Sequence, residues 1–142
     1  MCRKFTGCLF PQMLSVDTQQ FNPPLASNPE YREFQSSPGR YRGFCMQCSS
    51  PLIWRMVDRP EHLSLLVGSI DEKWLIGERV KGSERETPYG VMVDRHGGLG
   101  KELCLPNGIN EFYENVIPGV TDVFSGGQKF LTDASDGFQP LP

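Results

Sequence analysis

Two cysteines that are separated by two residues, Cys45 and Cys48, are the strongest chemical signal in this sequence. They lie within residues 43–52, in a turn that leads into an apolar stretch typical of a β-strand. In such a hairpin both thiolates can face one metal ion, and backbone amides can donate to the sulfurs. Because a closed zinc site needs four ligands, the pair is half of a site. The spacing alone leaves open both zinc binding and two ordinary buried cysteines.

Other interpretations of this pair are weaker. A redox dithiol is expected where a strand enters a helix, but here an apolar β-type run follows. A disulfide is disfavoured because the N-terminus lacks the apolar stretch of a signal peptide. Cys2 is informative only through the motif that it opens. Cys8 and Cys104 are expected to be small buried side chains, the usual state of a free cysteine.

The other residues whose types could take part in catalysis or binding indicate no catalytic group and no organic cofactor. His62 and His96 lack a partner at ligand or triad spacing, so we expect exposed loop histidines. The glycines of residues 97–100 follow charged residues instead of a buried strand, so they do not form a phosphate-binding loop. Trp54 and Trp74 are expected in the core.

The elements that must position these residues are predicted to be mostly β-strands. The length of 142 residues suits one domain, and 15 Gly and 12 Pro favour many short strands joined by turns. Gly77 interrupts an ambiguous, partly helical segment at residues 71–80. Strands are predicted at residues 31–35, 52–56, 63–67 and 109–116, and an edge strand near residues 10–16.

Charge and hydropathy exclude several classes of partner. The net charge is −3 without a block of like charges, so neither a nucleic acid nor an anionic membrane is an expected partner. No apolar run approaches the roughly 20 residues of a membrane span. We therefore expect a soluble cytoplasmic protein whose cysteines are thiols or metal ligands.

Several motifs follow one another in order through residues 2–122. They are Cys-Arg-Lys-Phe-Thr-Gly at 2–7, Ser-Ser-Pro at 36–38, the segment around Cys45 and Cys48 at 42–52, Gly-Ser-Ile-Asp at 68–71, and stretches at 97–104 and 114–122. Their order and spacing resemble the glutathione-dependent formaldehyde-activating family, which includes the centromere protein V group. The last two stretches are similar to extensions of fungal members.

The resemblance implies a mainly β protein, a zinc-stitched β sandwich of the β-tent kind. Cys45 and Cys48 are similar to two ligands of the family's structural zinc, and Cys2 to the last ligand of its catalytic zinc. The family's activity adds formaldehyde to glutathione, a carbon–sulfur bond reaction classed with the lyases. A cysteine-bound zinc with an exchangeable position suits this reaction, because it lowers the pKa of a thiol and polarises a carbonyl.

The sequence departs from the family pattern in two ways. The early Cys-x-Cys pair and the other cysteines of the catalytic cluster are absent, so we expect an N-terminally incomplete chain that lacks a complete metal site. Ser49 stands where relatives commonly have a glycine, at a position that favours left-handed backbone. We expect a partial β domain at residues 1–124 and, within a loop-rich C-terminal extension, a poorly ordered tail at residues 125–142.

Two functions follow from this resemblance. The first is a zinc-dependent enzyme of the carbon–sulfur lyase type, similar to S-(hydroxymethyl)glutathione synthase, which acts on glutathione adducts of formaldehyde or another small electrophile. The alternative is a non-catalytic β-sandwich module for binding or structure that has lost the active metal. Arg3 and Arg42 could anchor a glutathione carboxylate. We favour solvated or salt-bridged surface arginines at both positions.

Overall fold

The structure, a computed structural model, describes residues 2–105, 107–123, 126–134 and 137–142, without the side chain of Cys2. The chain divides into two compact units, Met1–Leu103 and Cys104–Pro142. Within the described residues, no helix is long and apolar enough to cross a membrane.

An antiparallel sheet of five strands forms the centre of the first unit, which confirms the prediction of a mainly β fold. The order of its strands is β1-β5-β4-β3-β2. Strands β2 to β5 follow one another as hairpins, and β1 pairs with β5. The predicted strands at residues 31–35, 52–56 and 63–67 are confirmed within one or two residues at each end. The five strands are β1 Met13–Asp17, β2 Tyr31–Ser37, β3 Arg40–Cys45, β4 Pro51–Met56 and β5 His62–Leu66.

The core lies on one face of this sheet, because alternate residues of each strand point to the same side. Ile53 has no exposed surface, and it packs with Tyr31 and Leu63 in one buried cluster. Gly43 lies opposite Ile53 in the register of β3 and β4. The Tyr31 side chain covers Gly43, whose missing side chain leaves the room for the phenol ring.

A polar network lies beside this cluster on the same face. The hydroxyl of Tyr31 donates a short hydrogen bond to the Glu33 carboxylate. Arg55 donates to both Glu33 oxygens, with Nε–Oε1 and Nη2–Oε2 distances of 2.8 and 2.5 Å. The Arg55 guanidinium also stacks 4.6 Å from the centre of the Tyr41 ring. The network therefore joins strands β2, β3 and β4 by side chains.

The rest of the first unit consists of short elements. Helix α2, Glu72–Leu75, lies in the ambiguous segment and ends before Gly77, which has a φ of 87°. The prediction that Trp74 is a core residue is wrong, because the residue is 54% exposed, and the Lys73 ammonium lies 5.3 Å from the centre of its ring. Two ribbons follow, in which β6 Glu78–Arg79 pairs with β9 Arg95–His96, and β7 Arg85–Thr87 pairs with β8 Gly90–Met92.

The second unit, which follows helix α3 (Gly100–Cys104), is held by a short parallel pair, β10 Ile109–Asn110 and β11 Gln128–Lys129. The predicted strand at residues 109–116 is wrong beyond Asn110. Phe112 adopts a left-handed φ of 55° there, and a 3-10 turn follows at Tyr113–Asn115. Within the tail, β11 and the buried Phe130 contribute to this unit. The limits at residues 124 and 125 stay a prediction.

Candidate metal centre

The knuckle is the turn that joins β3 to β4, from Cys45 to Ser50. Its backbone is closed by two hydrogen bonds, from Cys45 N–H to Ser50 O at 3.0 Å and from Ser49 N–H to Cys45 O at 2.8 Å. A third bond, from Met46 N–H to Glu30 O at 2.7 Å, ties the turn to the start of β2. Ser49 has a φ of 60°, which confirms the expected left-handed backbone at this position. The tight turn keeps both cysteines at one end of the sheet.

The two thiols of the knuckle differ in their surroundings. Cys48 is exposed, whereas Cys45 is partly buried. The Sγ of Cys48 lies 3.0 Å from the Oγ of Ser50. The Ser50 hydroxyl is the largest of several hydrogen-bond donors that lower the pKa of Cys48, followed by the Ser50 backbone amide and the Cys45 thiol. Cys48 is therefore a thiol whose anionic, metal-binding form is favoured.

Removing the Ser50 hydroxyl is expected to make Cys48 less reactive. In metal-free protein, Ser50→Ala should raise the pKa of Cys48 toward its ordinary value and slow its alkylation severalfold at neutral pH, because less thiolate is present. Mass spectrometry of the Cys48 peptide across a pH series measures the midpoint. Ser49→Ala, which removes the neighbouring hydroxyl, should leave that midpoint in place. An equal midpoint in Ser50→Ala and wild type would contradict the assignment.

The donor set of the knuckle fits half of a zinc site. Two cysteines lie on one turn, and backbone N–H groups are directed at the sulfur of Cys48. Cysteine thiolates are the soft ligands that structural zinc prefers. Among the side chains that the structure describes, no group of three or more His, Cys, Asp or Glu could hold a metal ion. The other ligands of a knuckle ion would therefore have to come from outside these described side chains.

Cys2 begins the short helix α1, Cys2–Thr6, and its side chain lies outside the described part of the structure. The structure therefore neither joins Cys2 to Cys45 and Cys48 nor separates it from them. Phe5 of this helix packs edge-to-face against Phe34 of β2, with ring centres 5.6 Å apart. The helix thus contacts the face of the sheet opposite the core, because Phe34 alternates with Glu33 along β2.

Arg42 is buried, so the prediction of a surface arginine at this position is wrong. Arg42 is only 6% exposed, and its guanidinium lies 5.4 Å from the centre of the Phe5 ring. Arg3 is partly buried, and its Nε donates to the carbonyl of Leu9 at 2.7 Å. Both arginines therefore contact the protein's own chain.

The predictions of buried side chains for Cys8 and Cys104, and of loop positions for the two histidines, need correction. Cys8 is exposed instead of buried, and its thiol donates to the carbonyl of Phe10 at 3.3 Å. His62 and His96 are exposed as predicted, but they lie in strands β5 and β9 instead of loops. His62 Nδ1 also lies 2.7 Å from Asp17 Oδ1 across the β1–β5 pair, a partner that the sequence analysis missed. Cys104 is partly buried.

Sequence reasoning also missed the hydrogen bond between Ser50 and Cys48, which lowers the pKa of the thiol. The only signal for it was a hydroxyl two residues after Cys48, and a hydroxyl in a polar turn is too common to indicate a contact with sulfur. The register of the hairpin, which folds Ser50 back onto Cys45, brings the hydroxyl to the thiol.

Comparison with known proteins supports one family. The family model described as glutathione-dependent formaldehyde-activating enzyme matches residues 1–84, which is more than half of the chain and includes β1 to β5 and the knuckle. No curated protein and no solved structure matches the chain.

Proposed function

This chain belongs to the glutathione-dependent formaldehyde-activating enzyme family, and on that premise we propose that it is a zinc-dependent enzyme of the carbon–sulfur lyase type. The proposed substrates are glutathione adducts of formaldehyde or of another small electrophile. The observation that carries the proposal is the knuckle, where Cys48 is an exposed thiol with a lowered pKa beside Cys45.

The proposal assigns the three candidate ligands to two zinc ions. Cys45 and Cys48 would hold a structural ion that stitches the knuckle to a second layer of the sandwich, and Cys2 would hold the catalytic ion. When bound there, the catalytic ion would supply Lewis-acid chemistry that favours a thiolate and polarises a carbonyl. The sandwich and a cytoplasmic location are parts of this proposal.

The residues of the chain itself would prepare the sites. The Ser50 hydroxyl and the closed turn favour the metal-binding form of Cys48, because they lower the pKa of its thiol. The turn also directs Cys45 and Cys48 to one end of the sheet, so that one ion can bind both without a change in β3 or β4. Arg42 is buried beside the Phe5 ring, so the proposal assigns it no contact with the glutathione carboxylate.

The first experiment measures zinc per chain in protein purified without added metal or chelator. Wild type is expected to retain zinc where a partner or a second copy of the chain completes the ligand set, and Cys48→Ser to lose it, because a hydroxyl is a poor zinc ligand. Cys8→Ser removes an exposed thiol outside the knuckle, and it should leave the zinc content unchanged.

A second assay follows the formation of the hydroxymethyl adduct from glutathione and formaldehyde, for wild type and for Cys2→Ser. Loss of activity in Cys2→Ser, with zinc retained at the knuckle, would support the proposed division between the two ions. Folded wild type without zinc, or with zinc that Cys48→Ser does not remove, would contradict the proposal and favour the alternative of a non-catalytic β module.

A further inference from the structure

Helix α1 is too short to be stable by itself. It has five residues, and isolated helices are marginal in water below about 12–15 residues. Its position in the fold must therefore come from tertiary contacts. The structure shows two contacts that Phe5 of this helix makes with the sheet.

The strongest of these contacts are made by one aromatic side chain. The Phe5 ring packs edge-to-face on Phe34, and the buried guanidinium of Arg42 lies over the same ring at 5.4 Å. Phe34 and Arg42 are directly opposite each other in the register of β2 and β3. We name Phe5, Phe34 and Arg42 the Phe5 clamp. Phe34 also lies 6.3 Å from the Phe44 ring, which extends the aromatic surface along β3.

The burial of Arg42 places a charged group beside the Phe5 ring. Burying a guanidinium has a high desolvation cost, and a leucine would pack against Phe5 and Phe34 without that cost. A cation over an aromatic face adds directional attraction, which fixes where Phe5 sits on the sheet. The second contact of the helix, from Arg3 Nε to Leu9 O at 2.7 Å, closes the turn that follows α1.

From these contacts we infer that Phe5, Phe34 and Arg42 are positioning residues that hold the Cys2 segment against the sheet before any metal binds. The inference rests on the proposed function in so far as Cys2 is to serve as a zinc ligand. A ligand on a preformed segment has less conformational entropy to lose on binding, so the clamp would raise the metal affinity of the site.

Limited proteolysis of the full, metal-free chain tests the clamp. Trypsin cleavage after Arg3 requires α1 to leave the sheet. Phe34→Ala keeps residues 1–7 unchanged, and it should speed this cleavage about tenfold while cleavage after Arg55 in β4 stays at the wild-type rate. Met13→Ala, on the opposite edge strand β1 and of similar exposure, should leave both rates unchanged. Phe5→Leu keeps the apolar bulk but removes the ring, and it should show part of the increase.

A second measurement uses zinc itself. The protection of Cys2 from alkylation by a fixed zinc concentration, followed on the Cys2 peptide, should fall about tenfold in Phe34→Ala and not in Met13→Ala. Three outcomes in Phe34→Ala would each overturn the inference. They are an unchanged rate of cleavage after Arg3, equal increases in the cleavage rates after Arg3 and Arg55, and an unchanged zinc protection of Cys2. If zinc does not protect Cys2 even in wild type, the proposed ligand fails, and the proteolysis result alone decides whether the clamp exists.

Discussion

Replacing Gly43 with alanine is expected to destabilise the protein by about 3 kcal/mol, near the upper end for overpacked cores. A Cβ at this position would overlap the Tyr31 hydroxyl, and it would lie 2.5 Å from Tyr31 Cε2 and 2.7 Å from Ile53 Cγ1. Neither neighbour can yield easily, because Ile53 is fully buried and the Tyr31 hydroxyl is bound to Glu33. The gain of about 0.5–1 kcal/mol that alanine normally brings within a strand is too small to compensate.

Urea unfolding, followed by the fluorescence of Trp54 and Trp74, measures this free energy. Gly68→Ala is the matched control, because a Cβ at Gly68 meets nothing within 4 Å and the backbone there does not have a positive φ. The control should stay within about 0.5–1 kcal/mol of wild type. If Gly43→Ala behaved like this control, the packing of Tyr31 over Gly43 would be wrong.

The second large effect is expected at Arg55. Arg55→Met should cost about 2–3 kcal/mol, because it leaves the Glu33 carboxylate, whose side chain is 21% exposed, without its bidentate partner. It also removes the cation from the Tyr41 ring. The double variant Glu33→Gln/Arg55→Met should recover part of this loss, since no uncompensated charge then remains. A double variant no more stable than Arg55→Met would contradict this explanation.

The same pair predicts how stability depends on pH. Arg55 is the main cause that lowers the pKa of Glu33, so the unfolded chain takes up this proton at a higher pH than the folded chain. The stabilisation that Arg55 gives the Glu33 carboxylate is therefore present above the ordinary pKa of a glutamate, about 4.3. It is lost as the pH falls further, through the pKa of Glu33 in the folded protein.

At the alkaline end, burial raises the pKa of Tyr31, so the free energy of unfolding should fall above about pH 10, where an unfolded tyrosine ionises.

Unfolding free energies measured between pH 2 and 7 test the acid side. Glu33→Gln should reduce the slope of the free energy against pH below about pH 4.5, because one linked proton is removed. Glu86→Gln, which changes an exposed carboxylate of β7, serves as the control. Equal slopes for Glu33→Gln and wild type in this range would show that Arg55 does not hold Glu33 in its charged form.

Local patterns were enough to predict the centre of the fold and of the candidate site. Strands β2, β4 and β5 are predictable from the sequence, because short runs of β-type residues bounded by Pro and Gly leave few other conformations. The turn that carries Cys45 and Cys48 is predictable because its chemistry depends on the number of residues between the two cysteines. The left-handed backbone at Ser49 was likewise predictable from the place of one residue in a motif.

Tertiary structure alone decided which side chains are buried and which groups meet. Arg42 and Trp74 were assigned the wrong surroundings, because burial depends on what packs against a face and not on the residue type alone. Arg42 is buried beside Phe5, which lies in a helix distant from it in sequence, whereas Trp74 in the four-residue helix α2 stays 54% exposed. The same holds for Glu33, which Arg55 reaches only through the register of three strands. Local sequence was therefore enough for a mainly β chain with a Cys-x-x-Cys turn, whereas the non-local pairing of strands brought Arg55 to Glu33 and Arg42 to the Phe5 clamp.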